Sequence, residues 1–269
     1  MIKGSKVLVT GYKGFIGNHL CYVLKYKGAK VTGMEDKNGG VINLKLLYEK
    51  CRNIDYVFHL AAISTIPACA NNPLKAHDIN VTGTLNVLLA SKACRVKKVV
   101  FVSSSVVHDP RTVYAVMKTI GEMYCKLFSN MFGLPVSILR LYNVYGVGQD
   151  SDTAVVPSFI RQLKEDKLII IEGSGEQTRD FVYVEDVVDA MIQTVEDNLD
   201  GYYNIGTGRD ISISDLAYLI GKIMNKPVRI EHTTGRAGDV DKSVARKPEW
   251  FEPKYSLTEG LTKTIESWK

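Results

Sequence analysis

The sequence predicts an α/β fold, a doubly wound parallel sheet with a smaller second lobe. Three observations predict it. Short β-branched apolar runs alternate with stretches of helical apolar spacing through the first half of the chain, the order that builds a parallel sheet covered on both faces. A glycine-spaced turn joins the first such run to the first helical stretch. The 269 residues, 45% hydrophobic and 23% charged, suffice for a full core and a lobe beside it.

The elements follow in order. Residues 7–10 are a strand, Gly11-Tyr-Lys-Gly14-Phe-Ile-Gly17 a turn, 18–27 a helix stopped by Gly28, and 31–34 a second strand ending in Glu35-Asp36. Gly11 permits a tight turn, Gly14 lets backbone approach a pyrophosphate favoured by the helix N-terminus, and Gly17 allows close helix–strand packing. A carboxylate after the second strand accepts the ribose hydroxyls and repels a 2′-phosphate, so NAD is expected over NADP. Glu35 is the preferred ribose ligand, with Asp36 beside it. Glycine triplets occur in many turns. The whole strand–turn–helix–strand–acid context makes this one a dinucleotide, Rossmann-type signal, although its spacing is G-x-x-G-x-x-G rather than G-x-G-x-x-G.

Gly39-Gly40 is read as a turn and residues 41–44 as a short strand, with Asn43 near adenine. Residues 44–51 are helical, and 55–62 are a strand whose Ala61 and Ala62 suit close cofactor approach. Residues 63–73 read as a loop and 80–95 as a long helix. The strand from Val99 ends in Ser103, Ser104 and Ser105, and Asp109-Pro110 signals a turn. A helix over 111–131 then carries Tyr114 and Lys118, four apart. Residues 135–141 are the next strand. Downstream, Ser212-Ile-Ser-Asp215 caps a helix over 212–224, residues 247–253 are a loop, and 257–268 are a last amphipathic helix.

Net charge is +5 without a Lys/Arg block, so an anionic ligand fits and nucleic acid is not expected. Five scattered cysteines without a Cys-x-x-Cys pair predict neither a disulfide framework nor a metal site, and a cytoplasmic setting fits. Residues 1–6 run directly into the first strand, so neither a signal peptide nor a membrane helix is expected.

Tyrosine, with a pKa of about 10, is a poor base at neutral pH. A cation beside it favours the phenolate. Lys118, one helical turn from Tyr114, is placed to supply that cation, and a serine hydroxyl at the strand end to share the proton. Taken alone, Tyr114 and Lys118 also describe a surface i, i+4 pair, and the serines a capped strand end. His59 is read as structural and His108 as a loop histidine.

The motifs Gly11-x-x-Gly14-x-x-Gly17, His59-Leu-Ala-Ala62, Asn80-Val-Thr-Gly-Thr84, Ser103-Ser-Ser105 and Tyr114-x-x-x-Lys118 resemble the extended short-chain dehydrogenase/reductases. The similar subgroup is the NAD-dependent nucleotide-sugar epimerases and dehydratases. Leu139-Arg-Leu-Tyr-Asn-Val-Tyr-Gly146, the stretch from Gly173 through Arg179 to Asp186, Tyr203-Asn-Ile-Gly206 and Arg236-Ala-Gly-Asp239 extend the resemblance along nearly the whole chain. It implies a Rossmann-type NAD domain over 1–146, with 178–206 returning to it, and an interleaved C-terminal substrate lobe over 147–269. It implies Tyr114, Lys118 and Ser104, with Ser105 as fallback, as catalytic residues. Gly11, Gly14, Phe15, Ile16, Gly17, Glu35, Asp36, Asn43, Leu44, Leu60, Ala61, Ala62, Asn80, Ser103, Tyr114, Lys118 and Tyr142 would hold NAD. Ser64, Ser104, Asn143, Val156, Arg179, Arg236 and Asp239 would hold a nucleotide-diphosphate sugar, the arginines by two-pronged contact with phosphate. A homodimer through helices 80–95 and 111–131 is also implied.

The chain departs from the family where only nine residues separate Ser104 from Tyr114, and after Glu35-Asp36 and before Pro253, where it is abbreviated. His108 stands where the family has tyrosine, and Val106 where sugar 4,6-dehydratases carry an acidic pair. The expected activity is therefore epimerisation, at C4 through a 4-keto sugar. A reductase, dehydrogenase or 4,6-dehydratase of the same family is one alternative, and a non-catalytic NAD or sugar-nucleotide binding protein another.

Overall fold

The computed structural model describes residues 2–35, 37–149, 154–235, 238 and 240–268. They form two compact units. The first comprises Met1–Leu141 and Val188–Tyr203, the second Tyr142–Val187 and Asn204–Lys269.

The first unit is built on a six-stranded sheet. Its elements are β1 (Lys6–Thr10), α1 (Phe15–Tyr26), β2 (Lys30–Met34), α2 (Leu44–Cys51), β3 (Tyr56–His59), α3 (Ile66–Asn71), α4 (Pro73–His77), α5 (Gly83–Ala93), β4 (Lys98–Ser104), α6 (Val113–Phe132) and β5 (Val136–Leu141). The second unit adds β6 (Asn143–Tyr145), α7 (Val155–Lys164), β7 (Ile169–Glu172), β8 (Thr178–Arg179) and β9 (Phe181–Tyr183). α8 (Val184–Glu196) and β10 (Gly201–Ile205) each cross a division between the units. β11 (Ile211–Ser212), α9 (Ile213–Met224), β12 (Ile230–Thr233), β13 (Lys242–Ser243) and α10 (Leu257–Glu266) complete the chain.

Strand order in the large sheet is β10-β5-β4-β3-β1-β2, with β1–β2, β1–β3, β3–β4 and β4–β5 all parallel. This is the doubly wound, Rossmann-type order, and its cause is visible in the burial. Val57, Val99, Phe101, Val136 and Ile138 pack into one core with Leu47, Val87, Leu88, Cys125 and Phe128 of α2, α5 and α6. The alternate residues Val7, Val9, Phe58 and Val100 are buried as well. Continuous β-branched runs are therefore covered on both faces, as crossover helices require. Chain reversal places the loops that follow β1 and β4 at the same, C-terminal, edge of the sheet, where such folds bind ligands.

Two local expectations are corrected. Residues 41–44 are not a strand: Lys37–Ile42 is a 3₁₀ turn. Asn86 of α5 donates to the carbonyls of both Val41 (3.2 Å) and Ile42 (3.1 Å), and Val41 is buried, so the segment is tied down by α5 and the sheet ends at β2. Residues 63–73 are not a loop, since α3 lies within them and α4 begins at Pro73, with Thr65 and Asn72 as side-chain N-caps. The helix expected over 80–95 opens with a π turn, Asp78–Thr82, before α5.

The second unit holds smaller sheets: β11-β8-β13, parallel β12–β7, and parallel β6–β9. Its core gathers Tyr145, Phe159, Tyr183, Leu216 and Leu261. α10 carries a Ser256/Glu259 capping box and its Leu257 carbonyl accepts from Tyr145 Oη at 3.2 Å.

Candidate functional site

Sterics of the glycine turn come first. Gly11 has φ +70°, and a Cβ there would lie 2.8 Å from Ala61 N. A Cβ on Gly17 would lie 2.2 Å from Gly11 O. The turn is thus pressed against Ala61 on one side and against α1 on the other, and only glycine permits both. Gly14 is the N-cap of α1 and supplies no side-chain cap, so the first-turn amides remain for an anion. Phe15 and Ile16, half-buried, begin the helix. These residues fit a dinucleotide: a close backbone approach and open helix N–H groups are what a pyrophosphate needs.

Glu35, half-buried beyond β2, pairs with Lys13 of the turn. Sequence reasoning passed over Lys13, whose only signal was a cation inside a phosphate-type turn. Asn43 is the N-cap of α2, its side-chain oxygen accepting from Leu46 N at 3.0 Å, and Leu44 begins that helix. Leu60, Ala61 and Ala62, half-buried, follow β3. Asn80 is buried and holds the chain after them, accepting from Ile63 N (2.8 Å) and donating to Ile63 O (2.9 Å). Ser64 is exposed. Asp36 lies outside the described residues.

His59 is structural, as expected. Its ring is buried between Thr10 Oγ1 (2.8 Å) and Thr84 Oγ1 (3.0 Å). Burial, helped by Lys118, pushes its pKa down to about 3, so the ring is neutral.

The end of β4 and the start of α6 form the reactive cluster. Thr112 caps α6 through its side chain, accepting from Ala115 N at 3.2 Å, and this starts the helix so that Tyr114 and Lys118 share a face. The connection from β4 to α6 runs over residues 105–112 and opens with a 3₁₀ turn, Ser105–His108, N-capped by Ser104. Loss of solvent raises the Tyr114 pKa and Cys69 adds to the rise, while the Ser104 side chain opposes it. Lys118 is buried, donates from Nζ to Val102 O at 2.7 Å, and lies 5.9 Å from the Tyr114 ring centroid. Burial pushes its pKa down to about 8, against upward pulls from Cys125, Cys69 and Glu122. Ser103 is buried and donates to Glu122 Oε1 at 2.6 Å, and Ser105 is half-buried in the 3₁₀ turn. His108 is exposed.

The second unit groups a different set. The Asn143 amide and side chain both donate to Asp180 O, at 3.0 and 3.2 Å. Asp180 is fully buried, and its carboxylate accepts from Thr207 N (2.8 Å), Thr207 Oγ1 (2.7 Å), Gly208 N (2.9 Å) and Ala245 N (3.1 Å). Asp180 thereby fixes the backbone on which its neighbour Arg179 and its partner Asn143 stand. Arg179 is half-buried and donates from Nη1 to Thr178 O at 2.7 Å. Tyr142 is buried, its amide donating to Ile205 O at 3.0 Å, and Val156 is buried in α7. Arg236 and Asp239 lie outside the described residues. Among the described residues, no cluster of three or more His, Cys, Asp or Glu stands ready for a metal. No helix there is long and apolar enough to cross a membrane.

Comparison with known proteins adds chemistry to this arrangement. The model of the NAD-dependent epimerase/dehydratase family matches residues 7–206. The chain is 30% identical to the UDP-glucose 4-epimerase of Mycolicibacterium smegmatis, covering 97% of each protein. That alignment runs over 305 positions, more than the 269 residues present here, so the relative carries stretches this chain lacks. UDP-glucuronic acid decarboxylase 1 of Xenopus tropicalis is 28% identical over 97% of this chain and 71% of its own. The crystal structure of the Thermotoga maritima UDP-glucose 4-epimerase with UDP-glucose superposes with a TM-score of 0.92, at 30% identity over 98% of each chain.

Proposed function

The chain belongs to the NAD-dependent epimerase/dehydratase family, an enzyme family using NAD, and from that premise we propose that it is a nucleotide-sugar epimerase acting at C4. The placing of Tyr114 and Lys118 one turn apart on α6, with Lys118 Nζ 5.9 Å from the Tyr114 ring and bonded to Val102 O at the end of β4 beside Ser104, in the unit that carries the glycine turn, is the observation that supports this reading most. Bound NAD supplies a hydride acceptor and donor. Gly11, Gly14 and Gly17 with Phe15 and Ile16 hold its pyrophosphate, and Glu35 its ribose. Asn43, Leu44, Leu60, Ala61, Ala62, Asn80, Ser103 and Tyr142 shape the rest of its surroundings. Tyr114 takes the proton of the sugar 4-hydroxyl, Ser104 holds the same oxygen, and the Lys118 cation stabilises the phenolate. Asn143, Arg179, Arg236 and Asp239 hold the diphosphate sugar, with Val156 and Ser64, while the 4-keto sugar turns over and Tyr114 returns the proton to the other epimer.

UDP-, dTDP- and GDP-sugars incubated with the NAD-loaded protein, followed by NMR of the sugar, test the reading. Interconversion of 4-epimers without net NADH is expected. Carbon dioxide released from a UDP-uronic acid, or NADH formed in proportion to substrate, overturns it in favour of a decarboxylase or a dehydrogenase.

A homodimer through α5 and α6 is part of the proposal. Val116, Met123, Leu127 and Met131 are exposed along one side of α6, Met123 at 65% and Met131 at 67%, an apolar stripe of the kind that interfaces cover. Sedimentation of the wild type as a dimer, and of the Met123→Glu, Leu127→Glu double variant as a monomer, is expected. A wild type that stays monomeric at every concentration removes the dimer from the proposal.

A further inference from the structure

Three consecutive residues at the end of β4 meet three successive turns of α6. The carbonyl of Val102 accepts from Lys118 Nζ (2.7 Å), Ser103 Oγ donates to Glu122 Oε1 (2.6 Å), and the Ser104 side chain acts on the Tyr114 phenol, lowering its pKa. Tyr114, Lys118 and Glu122 are spaced by four along one helix row. Glu122, like Lys118, is buried. It also receives a two-pronged contact from Arg140 of β5, Nε to Oε1 at 2.9 Å and Nη2 to Oε2 at 2.6 Å. The guanidinium in turn lies 4.8 Å from the centroid of the Tyr202 ring. One carboxylate therefore ties α6 to two neighbouring strands at once, a single turn below Lys118.

We propose that Glu122 is a positioning residue for proton transfer, acting through Lys118. The inference rests on the reading of Tyr114 as the base. Its first part is mechanical. A two-pronged Arg–carboxylate contact fixes direction as well as distance, so with Arg140 and Ser103 engaged, α6 is not free to rotate or slide against β4. The Lys118 and Tyr114 side chains then keep their register with Val102 and Ser104. Its second part is electrostatic. Lys118 is faced by the neutral ring of His59 from β3, the thiol of Cys69 from α3, and Tyr114, Cys125 and Glu122 of its own helix. Glu122 is the formally anionic side chain in that set, and it opposes the burial that strips Lys118 of its proton. Without it, the cation that Tyr114 depends on is lost at a lower pH.

The test uses the NAD-loaded full chain grown with ¹³C-labelled lysine, the Lys118 resonance being assigned from Lys118→Arg. Glu122→Gln keeps the shape and a hydrogen bond to Ser103 but removes the charge. Its Lys118 midpoint is expected to fall below that of wild type by a fraction of a pH unit, Glu122 being the third of the groups that raise it, after Cys125 and Cys69. The alkaline limb of kcat should fall with it, while KM for UDP-glucose and NAD affinity hold. Arg140→Gln breaks the same contact but leaves the carboxylate, and is expected not to lower the midpoint. An unchanged midpoint in Glu122→Gln overturns the proposal, and an equal fall in Arg140→Gln, as loosening of the helix alone would give, overturns its electrostatic part. Should Glu122→Gln fail to fold, the Glu122→Gln, Arg140→Gln double variant is compared with Arg140→Gln alone, so that only the carboxylate differs, and its midpoint is expected to be the lower. The NMR readout needs no turnover, so a wild type inactive on every nucleotide sugar would overturn the epimerase reading and still leave the effect on Lys118 measurable.

Discussion

Tyr114→Phe is expected to lower turnover of a nucleotide sugar about 1,000-fold, the middle of the range for losing a positioned acid–base group. NAD affinity should stay within a factor of two to three of wild type, since the ring remains and only its oxygen is gone. Three features set the size of the effect. The Ser104 side chain at the end of β4 acts on the phenol and favours its ionised form. Its surroundings raise its pKa, which makes proton removal depend on the nearby Lys118 cation rather than on solvent. Only residues 105–112, opening with a 3₁₀ turn and ending at the Thr112 cap, join β4 to α6, leaving little slack for another group to take its place. Single-turnover rates with the NAD-loaded variant, set beside calorimetric titration of NAD, check both halves. Undiminished turnover in this variant would sink the assignment of the base.

Gly17→Ala is expected to abolish measurable NAD binding and to lower Tm. The added Cβ would lie 2.2 Å from Gly11 O, 2.9 Å from Tyr12 Cα and 3.0 Å from Gly11 C. All three are backbone atoms of the turn, so no side chain can swing aside. Relief requires α1 to move from β1 or the turn to open, and overpacking of this kind costs about 1–3 kcal/mol or more. Opening the turn also withdraws the α1 amides from the pyrophosphate, so stability and binding are lost together. Gly14→Ala is the useful comparison. Its nearest contact would be 3.2 Å, to Gly11 O, so that variant should fold near normally. Thermal melts with and without NAD distinguish the two. Wild-type NAD affinity in Gly17→Ala would show that this turn is not the cofactor's cradle.

Much of this was legible because it is local. The glycine turn, the alternation of buried runs with amphipathic helices, and the closeness of Ser104 to Tyr114 are all settled within about 20 residues of chain. What escaped depends on distant partners. Residues 41–44 are apolar enough for a strand, yet Asn86, more than 40 residues on, captures their carbonyls and the local preference yields. Thr65 and Asn72 signal helix starts, but each begins so short a helix that periodicity has nothing to register. Glu122 and Arg140 were overlooked because each reads as an ordinary charge, one on a helix and one in a strand. A charge inside an apolar strand, as in Leu139-Arg140-Leu141, was the available hint of a buried partner. Asp180 was visible only as a neighbour of Arg179, since nothing in the order of residues says that a carboxylate will be enclosed by donors from Thr207, Gly208 and Ala245.

Lys98, at the start of β4, is almost wholly enclosed. Its ammonium donates to the carbonyls of Thr194 (3.1 Å) and Leu199 (3.2 Å) and pairs with Asp200 at 2.9 Å. All three partners belong to the segment Val188–Tyr203, which the ribosome delivers only after the intervening Tyr142–Val187. A nascent chain ending at Leu141 would hold five strands, with β5 uncovered and Lys98 without the carbonyls and carboxylate that receive it in the folded chain. The first unit therefore waits for synthesis to run some 60 residues beyond β5 before it can close. The closure entropy of so long an excursion grows only with the logarithm of its length, so the delay is one of timing more than of stability.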